Sequence, residues 1–536
     1  MERLRLKRYD LKWNINRYNI PIAPAFCNRC GHAEEKGFDP WDGLELDALS
    51  ERLKLKRYDI KRKINRYHSL IVRQLPPDVT STIFEFCLPD FTNKQLSSST
   101  KEDISIPLSL GAICSHWRDI AWSTPSLWSS LVVRVTSKHF APDLAQEWLA
   151  RSGQLPLSIR IYSKLYVHEA LLALANIVNQ YSNRWSDLDL HIPDTCYPYF
   201  HATDNHAPIL KLIRFQCSAY VPILKNWNFP LTCPRLERAT LSFFPIDASG
   251  INIQWDNLTH LTLHFMSIDS LFLILRTTPR LVFCKVLGYC SLYRGQSMLG
   301  PPVLTSLRSL QLQVPIFTEE FLNNLIAPHL EEFSLPKYYS PSMEAITSFF
   351  RRSACPLRSF SILFSIFPPY FEGFKNLLQS MPSLNTLSIK SITATTRYFG
   401  NVTPEDYDPR NVFQLVAKVV SSQSASQQGF LPNLKILKYT GKLNLRPEFL
   451  DDIHFLPPVD KTVHGPFHLL ELDLYPATRI PKNMISYVSS LAGRGVTVNV
   501  LSGSEDILQS SIDYYRHRED SLCPDWADNL ESSLFS

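Results

Sequence analysis

The apolar residues of this chain recur in a fixed short pattern from about residue 160 onward. Each copy places apolar side chains at positions 0, +3 and +5, as in Leu258, Leu261 and Leu263 of NLTHLTL. The other clear copies are Leu307/Leu310/Leu312, Leu330/Phe333/Leu335, Leu357/Phe360/Ile362, Leu384/Leu387/Ile389 and Leu469/Leu472/Leu474. Weaker copies begin at Trp185, Leu210, Leu236, Leu281 and Leu434. The starts at 185, 210, 236, 258, 281, 307, 330, 357 and 384 lie 22 to 27 residues apart, which predicts a stack of similar structural units.

This period and core pattern resemble those of leucine-rich repeats, in which each copy contributes one strand and one helix or irregular arm. One copy alone cannot bury its apolar triplet, so stacked neighbours have to hide it. We therefore predict an α/β fold in which residues 136–501 form a leucine-rich-repeat-like solenoid, with parallel strands along its concave face. Such a surface is suited to binding an unknown target protein.

The residues at position +4 of each copy point away from the buried triplet and predict what a partner would meet. They are Thr262, Gln311, Ser334, Ser361, Ser388 and Asp473. These side chains are small or polar and carry little charge, so they indicate no strongly electrostatic ligand. Gln311, Ser334 and Ser361 are our candidate target-binding residues on the strands.

The repeat register breaks at residues 391–428, which are rich in Ser, Thr, Asn and Gln. This composition favours a loop that could overhang the concave face, with Tyr398, Phe399 and Tyr407 as further target contacts, because aromatic residues often dominate interfaces. The alternative is that these three aromatics only anchor the loop. Residues 502–536 are predicted to be a partly helical or disordered tail, with a role as a cap as the alternative.

Upstream of the repeats, residues 73–131 change to short helical patterns. Pro76-Pro77-Asp78 leads into the first, and Pro89 ends it. Its apolar face consists of Val79, Ile83, Phe86 and Cys87. The second opens at Pro107 and places Leu110, Ile113, Cys114, Trp117, Ile120 and Ala121 on one side, and the third follows Thr124-Pro125 with Leu127, Trp128 and Leu131. Three helices of this size cannot bury every large side chain, so we predict a small module whose apolar rim docks onto another protein.

This segment resembles the F-box through the order LPP…IF…CLP…L…C..WR.IA.STPSLWSSL. The version of the motif that it resembles is that of the large group of F-box proteins of mushroom-forming fungi. The resemblance covers residues 73–135, apart from a Ser/Thr-rich insertion at 91–105 and His116 in place of a basic residue. It implies binding to a Skp-family adaptor and, through it, to a cullin. The adaptor-binding residues that it implies are Leu75, Pro76, Pro77, Ile83, Phe84, Leu110, Cys114 and Trp117. For Trp117 and Trp128 a role in the core alone is the alternative.

The first seventy residues contain a duplication, because residues 2–18 and 51–67 differ at four of seventeen aligned positions. The second copy places Leu53, Ile60 and Tyr67 seven apart, which predicts an amphipathic, coiled-coil-like helix over residues 51–72. The first copy, within residues 1–50, is either a duplicated, poorly ordered segment or an artefact of the gene sequence. Cys27, Cys30 and His32 could begin a zinc site. No second ligand pair follows at suitable spacing, so a polar linker is favoured and no metal is expected.

Charge and composition narrow the function classes further. The 55 basic and 50 acidic residues are interspersed, which argues against a nucleic-acid surface. The eleven scattered cysteines are typical of a reducing compartment. The charged N-terminus is unlike a signal peptide, and no apolar run reaches the ~18 residues of a membrane helix. We therefore expect an intracellular protein, cytoplasmic or nuclear or both, without a membrane segment.

Catalytic constellations are missing from the sequence. It contains no phosphate-binding glycine loop, Gly-x-Ser-x-Gly elbow or His-Glu-x-x-His motif. We therefore expect neither enzymatic activity nor a cofactor. Two hypotheses remain. The first is the substrate-recognition subunit of a cullin-type (SCF) ubiquitin ligase, and the second is a non-catalytic repeat scaffold or degenerate family member that binds a partner without ubiquitin transfer.

Overall fold

A computed structural model of the chain describes a defined set of residues, divided between two compact units, Met1–Leu75 and Pro76–Ser536. The described residues are 51–60, 75–89, 105–135, 142–163, 169–217, 231–242, 253–264, 268–288, 301–313, 318–335, 342–364, 368–391, 430–441, 467–474, 479–480, 482–493, 495–503 and 505–519. In the first unit residues 51–60 are helical, with Leu53 and Ile60 exposed. The rest of the predicted 51–72 helix, the first copy of the duplication and the Cys27/Cys30/His32 motif lie outside the described residues.

The second unit begins with three short helices: α1, Pro77–Phe86; α2, Ile106–Ile113; and α3, Ser115–Ser123. A 3-10 turn, Pro125–Trp128, follows. Proline occupies the first turn of α1, α2 and the 3-10 turn, where its missing N–H is not needed.

The second predicted helical pattern is divided in two at Cys114. The backbone of this residue is extended, with φ −155° and ψ 170°, so it ends α2. The Cys114 thiol then accepts the backbone N–H of Trp117 at 3.4 Å and caps α3. A cysteine is an unusual cap, and apolar periodicity alone does not reveal it.

Within the described residues, the repeats form one open sheet of fifteen strands whose spatial order follows the chain. The strands are β1, Ser130–Val135; β2, Leu157–Ser163; β3, Trp185–Ile192; β4, Leu212–Cys217; β5, Arg238–Ser242; β6, His260–His264; β7, Phe283–Leu287; β8, Ser309–Gln313; β9, Glu332–Leu335; β10, Ser359–Phe364; β11, Thr386–Ser391; β12, Ile436–Gly441; β13, Leu469–Leu474; β14, Thr497–Ser502; and β15, Glu505–Asp506. Successive strands from β1 to β14 pair in parallel, and β15 pairs with β14 in antiparallel orientation. The predicted α/β array of repeats with parallel strands is confirmed.

Helices follow many of the strands, and several neighbouring helices contact one another. They are α4, Pro142–Arg151; α5, Glu169–Asn179; α6, Ile268–Arg276; α7, Thr318–Asn323; α8, Met343–Ser353; α9, Pro368–Gln379; α10, Lys482–Ala492; and α11, Ile507–Glu519. Helix α8 contacts both α7 and α9. Its buried Phe349 and Phe350 pack against Phe333 of β9, which in turn stacks on Phe360 of β10 with ring centroids 6.0 Å apart. Stacked neighbours therefore bury what one repeat alone would expose.

The buried triplets form ladders that run across the sheet. Leu261 pairs in register with Cys284, Cys284 with Leu310, and Leu310 with Phe333. The weaker copies are confirmed, since Trp185, Leu210, Leu236, Leu281 and Leu434 are all buried at the starts of their repeats. Polar links join the turns as well: the Glu237 carbonyl, for example, accepts the N–H groups of both Thr259 and His260 from the next repeat.

The triplet Leu469/Leu472/Leu474 is out of register by two residues. In the sheet Leu437 pairs with Leu470 and Tyr439 with Leu472, so the triplet that matches the other repeats is Phe467/Leu470/Leu472. Leu469 lies on the opposite, outward side of β13. The segment FHLLELDL carries apolar residues at both spacings, and only pairing with β12 decides between them.

The C-terminal end of the sheet is covered by residues beyond position 502. Helix α11 contacts both β14 and α10. The Ser511 hydroxyl, fully buried, accepts the backbone N–H of Ile480 at 3.0 Å, and Arg479 lies 3.6 Å above the ring centre of Tyr514. Residues 505–519 of the predicted tail are thus a strand and a helix packed on the array. Residues 520–536 lie outside the described part.

Candidate protein-docking surfaces

Helix α1 presents two contrasting faces within the second unit. Thr80 and Phe84 are buried, and the Thr80 hydroxyl also donates to the Pro76 carbonyl at 3.2 Å. Val79, Ile83 and Phe86 recur at i, i+4 and i+7 and are 44%, 43% and 86% exposed. A row of three large apolar side chains on one helix face is therefore open to a partner, the arrangement used when a helix docks onto another protein.

The inner face of α1 is held by aromatic packing. The rings of Phe84 and Trp117 meet edge to face with centroids 4.9 Å apart. Buried Leu110, Ile120 and Leu127 complete this core. Because these contacts fix the orientation of α1, the outward row of apolar side chains is presented by a packed scaffold and not by an isolated helix.

The structure divides the predicted adaptor-binding residues into exposed and buried groups. Pro76, Pro77 and Ile83 are exposed, Leu75, Cys114 and Trp117 are partly buried, and Phe84 and Leu110 belong to the core. Phe84 is only 1% exposed, so in this conformation it supports the docking surface from beneath. Leu75 falls in the first unit and the other seven in the second.

Three exposed apolar residues were not among the predicted adaptor contacts. Val79 and Phe86 flank Ile83 on α1, and Ile113 is 52% exposed at the end of α2. The signal for Val79 and Phe86 was present, since they share the apolar stripe of Ile83. Periodicity alone does not indicate which of two apolar stripes packs against the rest of the module. In α1 the stripe that contains Phe84 faces the core.

A cleft of about 570 Å³ lies on a third side of α1. It is lined by Pro77, Asp78, Ser81, Glu85, Ile120, Ser123, Thr124, Pro125, Ser126, Gln154 and Leu155. Glu85 accepts a hydrogen bond from the Ser126 hydroxyl across it. This mixed lining offers no arrangement of nucleophile, base and acid, so it extends the surface of the module without suggesting chemistry.

The helical module and the first repeat share one core. Trp128, fully buried, meets Trp122 of α3 and Trp148 of α4 edge to face, at centroid distances of 5.4 and 4.8 Å. The indole N–H of Trp128 donates to the Ala121 carbonyl at 2.7 Å, and that of Trp148 donates to the Ser130 carbonyl at 3.1 Å. Trp128 is therefore a core residue, and its contacts tie the docking face of α1 to the start of the sheet.

Arg184 reinforces this junction from the next repeat. Its guanidinium donates to the Leu155 carbonyl at 2.9 and 2.7 Å and to the Ser152 hydroxyl at 2.7 Å. Burial lowers the pKa of Arg184, while the nearby Tyr181 opposes that shift. The arginine keeps its charge, because an arginine is not deprotonated in proteins, and it fixes the connection between α4 and β2.

The predicted target-binding strand residues lie on one side of the sheet. Gln311, Ser334 and Ser361 are partly exposed and pair in register with one another. Ser388 continues this row on β11. On β13 the residue in this row is Glu471 and not Asp473, which lies two residues further along the strand on the same face. Tyr398, Phe399 and Tyr407 lie outside the described residues, as do residues 392–429 of the predicted loop.

The outward side of the first strands carries more charge than the +4 positions of the clear repeats. Arg160, Asp189 and Arg214 occupy the same row on β2, β3 and β4. Arg214 lies 3.7 Å from the Asp189 carboxylate. Burial raises the pKa of Asp189, and the two arginines partly offset this. The residues singled out in the sequence came from the clear repeats, from Thr262 on β6 to Asp473 on β13, and none of them lies on these first strands.

Within the described residues, few features suggest other chemistry. No group of three or more His, Cys, Asp or Glu side chains that could hold a metal ion occurs there. No helix in the described ranges is long and apolar enough to cross a bilayer. Burial raises the pKa of the Cys233 and Cys284 thiols to about 12, so neither is an activated nucleophile.

Comparison with known proteins adds little to these observations. No family model matches the chain, and no curated protein matches it. Among solved structures, the crystal structure of a TLR13-ssRNA13 complex is 14% identical with a TM-score of 0.31, covering 66% of this chain. The chain spans only 49% of that protein. The crystal structure of the Rad7 and Elc1 complex in yeast is 11% identical with a TM-score of 0.24, covering 68% of this chain and 98% of that one. Similarities at this level carry no argument about function.

Proposed function

We propose that this chain is the substrate-recognition subunit of a cullin-type ubiquitin ligase. In this proposal the helical module binds a Skp-family adaptor, and through it a cullin, while the sheet of repeats binds a target protein. The supporting observation is the row of Val79, Ile83 and Phe86, which lies exposed on a helix whose other side is locked into a core. The F-box-like sequence of the same segment indicates that the partner is a Skp-family adaptor.

The exposed row is large enough to contribute substantially to binding. Fully burying one large apolar side chain stabilises by roughly 1.5–3 kcal/mol, and these three are at present 43% to 86% exposed. Part of that gain offsets the freedom lost on association, so affinity would depend on a few well-packed side chains. Phe86, the most exposed of the three, is our expected main contact.

The shared core of the module and the first repeat supports the second half of the proposal. A substrate receptor has to hold its target at a fixed place relative to the adaptor. Here Trp128 and Trp148 join the module to β1 and α4 through buried ring contacts. In this proposal the chain supplies two protein-binding surfaces and no catalytic group, cofactor or metal, and ubiquitin transfer is performed elsewhere in the complex.

The test is a pull-down of the Skp-family adaptor of the same organism by the full chain. We expect Ile83→Ala/Phe86→Ala to weaken adaptor binding by tenfold or more, while the thermal unfolding midpoint of the free chain stays unchanged. Val303→Ala is the control, because Val303 is also an exposed apolar side chain, 55% exposed, but lies in the repeats and not in this row. Adaptor recovery that is the same for all three proteins would refute the proposal.

A second readout, the presence of the cullin in the pull-down, distinguishes a ligase subunit from a repeat scaffold without ubiquitin transfer. A receptor should carry the cullin into the pull-down together with the adaptor. If the adaptor is captured through Ile83 and Phe86 but the cullin never accompanies it, the chain is a scaffold that retains only the docking surface.

A further inference from the structure

The outward side of the sheet carries an uneven distribution of charge. On β1 to β7 the residues facing this side include five cations against two carboxylates. The cations are Arg134, Arg160, Arg214, Arg238 and Lys285, and the carboxylates are Asp187 and Asp189. We refer to the outward side of these seven strands as the basic face.

Most of these cations are accessible to a partner. Arg238 is exposed, and Arg134, Arg214 and Lys285 are partly exposed. Arg160 is only 4% exposed and lies beside Asp189. The surplus positive charge is therefore carried by side chains that can reach a ligand, while the most buried arginine helps to balance the half-buried carboxylate of Asp189.

Two of the three histidines on the basic face, His260 and His264, add little to its charge at neutral pH. Burial lowers the pKa of His264 to about 4, and Lys285 on the neighbouring strand contributes to the shift. The pKa of His260 is also lowered, by burial and by Arg238. Both of these rings are neutral near pH 7, so the positive charge on β5 to β7 comes from Arg238 and Lys285.

Aromatic and planar groups lie between the cations. The Arg134 guanidinium lies 5.9 Å above the Tyr162 ring centre, and Tyr162 meets His191 edge to face at 4.6 Å. Further along, His260 stacks on Phe283 with centroids 5.8 Å apart. Rings of this kind offer contact area to a peptide backbone and its apolar side chains.

The second half of the sheet has the opposite balance. On β8 to β14 two lysines face the same side as three carboxylates, namely Lys390 and Lys438 with Glu332, Glu471 and Asp473. Lys438 is moreover paired with Glu471 at 2.9 Å. A net positive charge is thus confined to the half of the sheet that adjoins the helical module.

We propose that the basic face binds an acidic peptide segment of the target protein. The inference rests on the proposed function and names the class of target. Asp187 and Asp189 interrupt the cations, which suits a peptide with discrete carboxylates and disfavours the continuous phosphate backbone of a nucleic acid, since that would need an uninterrupted basic stripe.

The dimensions of the sheet set the length of the segment. Neighbouring strands lie about 4.8 Å apart, so seven strands span roughly 29 Å, and an extended peptide covers that distance with about nine residues. Each partly exposed ion pair is worth about 0–1 kcal/mol and weakens with salt, so affinity would come from several contacts together.

The test uses the full chain and two fluorescein-labelled ten-residue peptides, one alternating aspartate with serine and one alternating asparagine with serine. Anisotropy at low salt should show binding of the aspartate peptide alone, weakened at least fivefold by 0.3 M salt. Arg238→Gln/Lys285→Gln should weaken it about five- to tenfold. Lys390→Gln/Lys438→Gln removes the same number of positive charges, two, from β11 and β12, in the other half of the sheet, and should weaken binding less than twofold.

Three outcomes would overturn the inference: no binding of the aspartate peptide, equal losses in both double variants, or tighter binding of a ten-nucleotide poly-U RNA that competes for the same face. Thermal unfolding of each variant shows that the sheet is intact. Adaptor capture is measured in parallel, because a chain that binds the adaptor but not the peptide loses only this inference. A chain that binds the peptide but not the adaptor loses the proposed function instead.

Discussion

The helical module and the repeat sheet treat apolar side chains in opposite ways. In the sheet each apolar triplet is covered by the next repeat, as Phe333 is by Phe360. In helix α1 the row of Val79, Ile83 and Phe86 has no such neighbour among the described residues and stays exposed. An apolar stripe in a sequence therefore predicts which side of an element is apolar, but not which other element packs on it. Where no element of the chain packs on the stripe, it is available to bind a partner.

The largest expected difference between the two regions is in stability. Phe360→Ala removes a fully buried ring that contacts Phe333 and Phe350, and should cost about 3–5 kcal/mol. Phe86→Ala removes a ring that is 86% exposed and should change stability by less than about 0.5 kcal/mol. Hydrogen exchange of the repeats around β10 and thermal unfolding of the full chain measure both. A similar loss in the two variants would mean that Phe86 is covered within the free chain.

Much of the sheet follows from the sequence because its signal is repeated and cumulative. Even the weak copies that begin at Trp185 and Leu434 are buried at the start of their repeats. The predicted triplet at Leu469 was two residues out of register because two alternative sets of positions in this segment are both apolar. Pairing with β12 selects one of them, and a single copy of the motif contains no information about its neighbour.

The candidate sites were less predictable for two different physical reasons. In α1, Phe84 and Ile83 are adjacent apolar residues on different stripes, and packing against Trp117 decides that Phe84 is the buried one. On the sheet, Arg160 and Arg214 belong to early repeats whose triplets are weak, so their outward orientation emerges only from the strand register. Both features depend on contacts between distant parts of the chain.

A second prediction compares glycines in the two regions. A Cβ atom on Gly111 of α2 would overlap the Trp122 ring, which also contacts Trp128 and Arg151. Gly111→Ala should therefore cost about 1–3 kcal/mol by overpacking and weaken adaptor binding as the module loosens. Gly373→Ala in α9 is the control, since its nearest neighbour would be Met343 Cγ at 3.6 Å, and it should stabilise by up to ~1 kcal/mol. If both alanines are tolerated equally, the module is looser than its tryptophan packing implies.

The smallest expected effect is a pH dependence that belongs to the sheet. His264 titrates at about 6.5 when unfolded, but burial, aided by Lys285, lowers its pKa to about 4 in the fold. Between these values the unfolded chain binds a proton that the folded chain does not, so this residue lowers stability as pH falls from about 6.5 to about 4. Because the ring remains partly exposed, solvent screening limits the effect to about 1 kcal/mol.

His264→Gln should therefore flatten the fall of the unfolding midpoint between pH 7 and pH 4.5. Thr262→Ser, a non-titrating change on the same face of β6, should show the same pH slope as the parent protein. An unchanged slope in His264→Gln would show that the ring is as well hydrated in the fold as in the unfolded chain, and the basic face would then carry more positive charge at mildly acidic pH than its arginines and lysines supply.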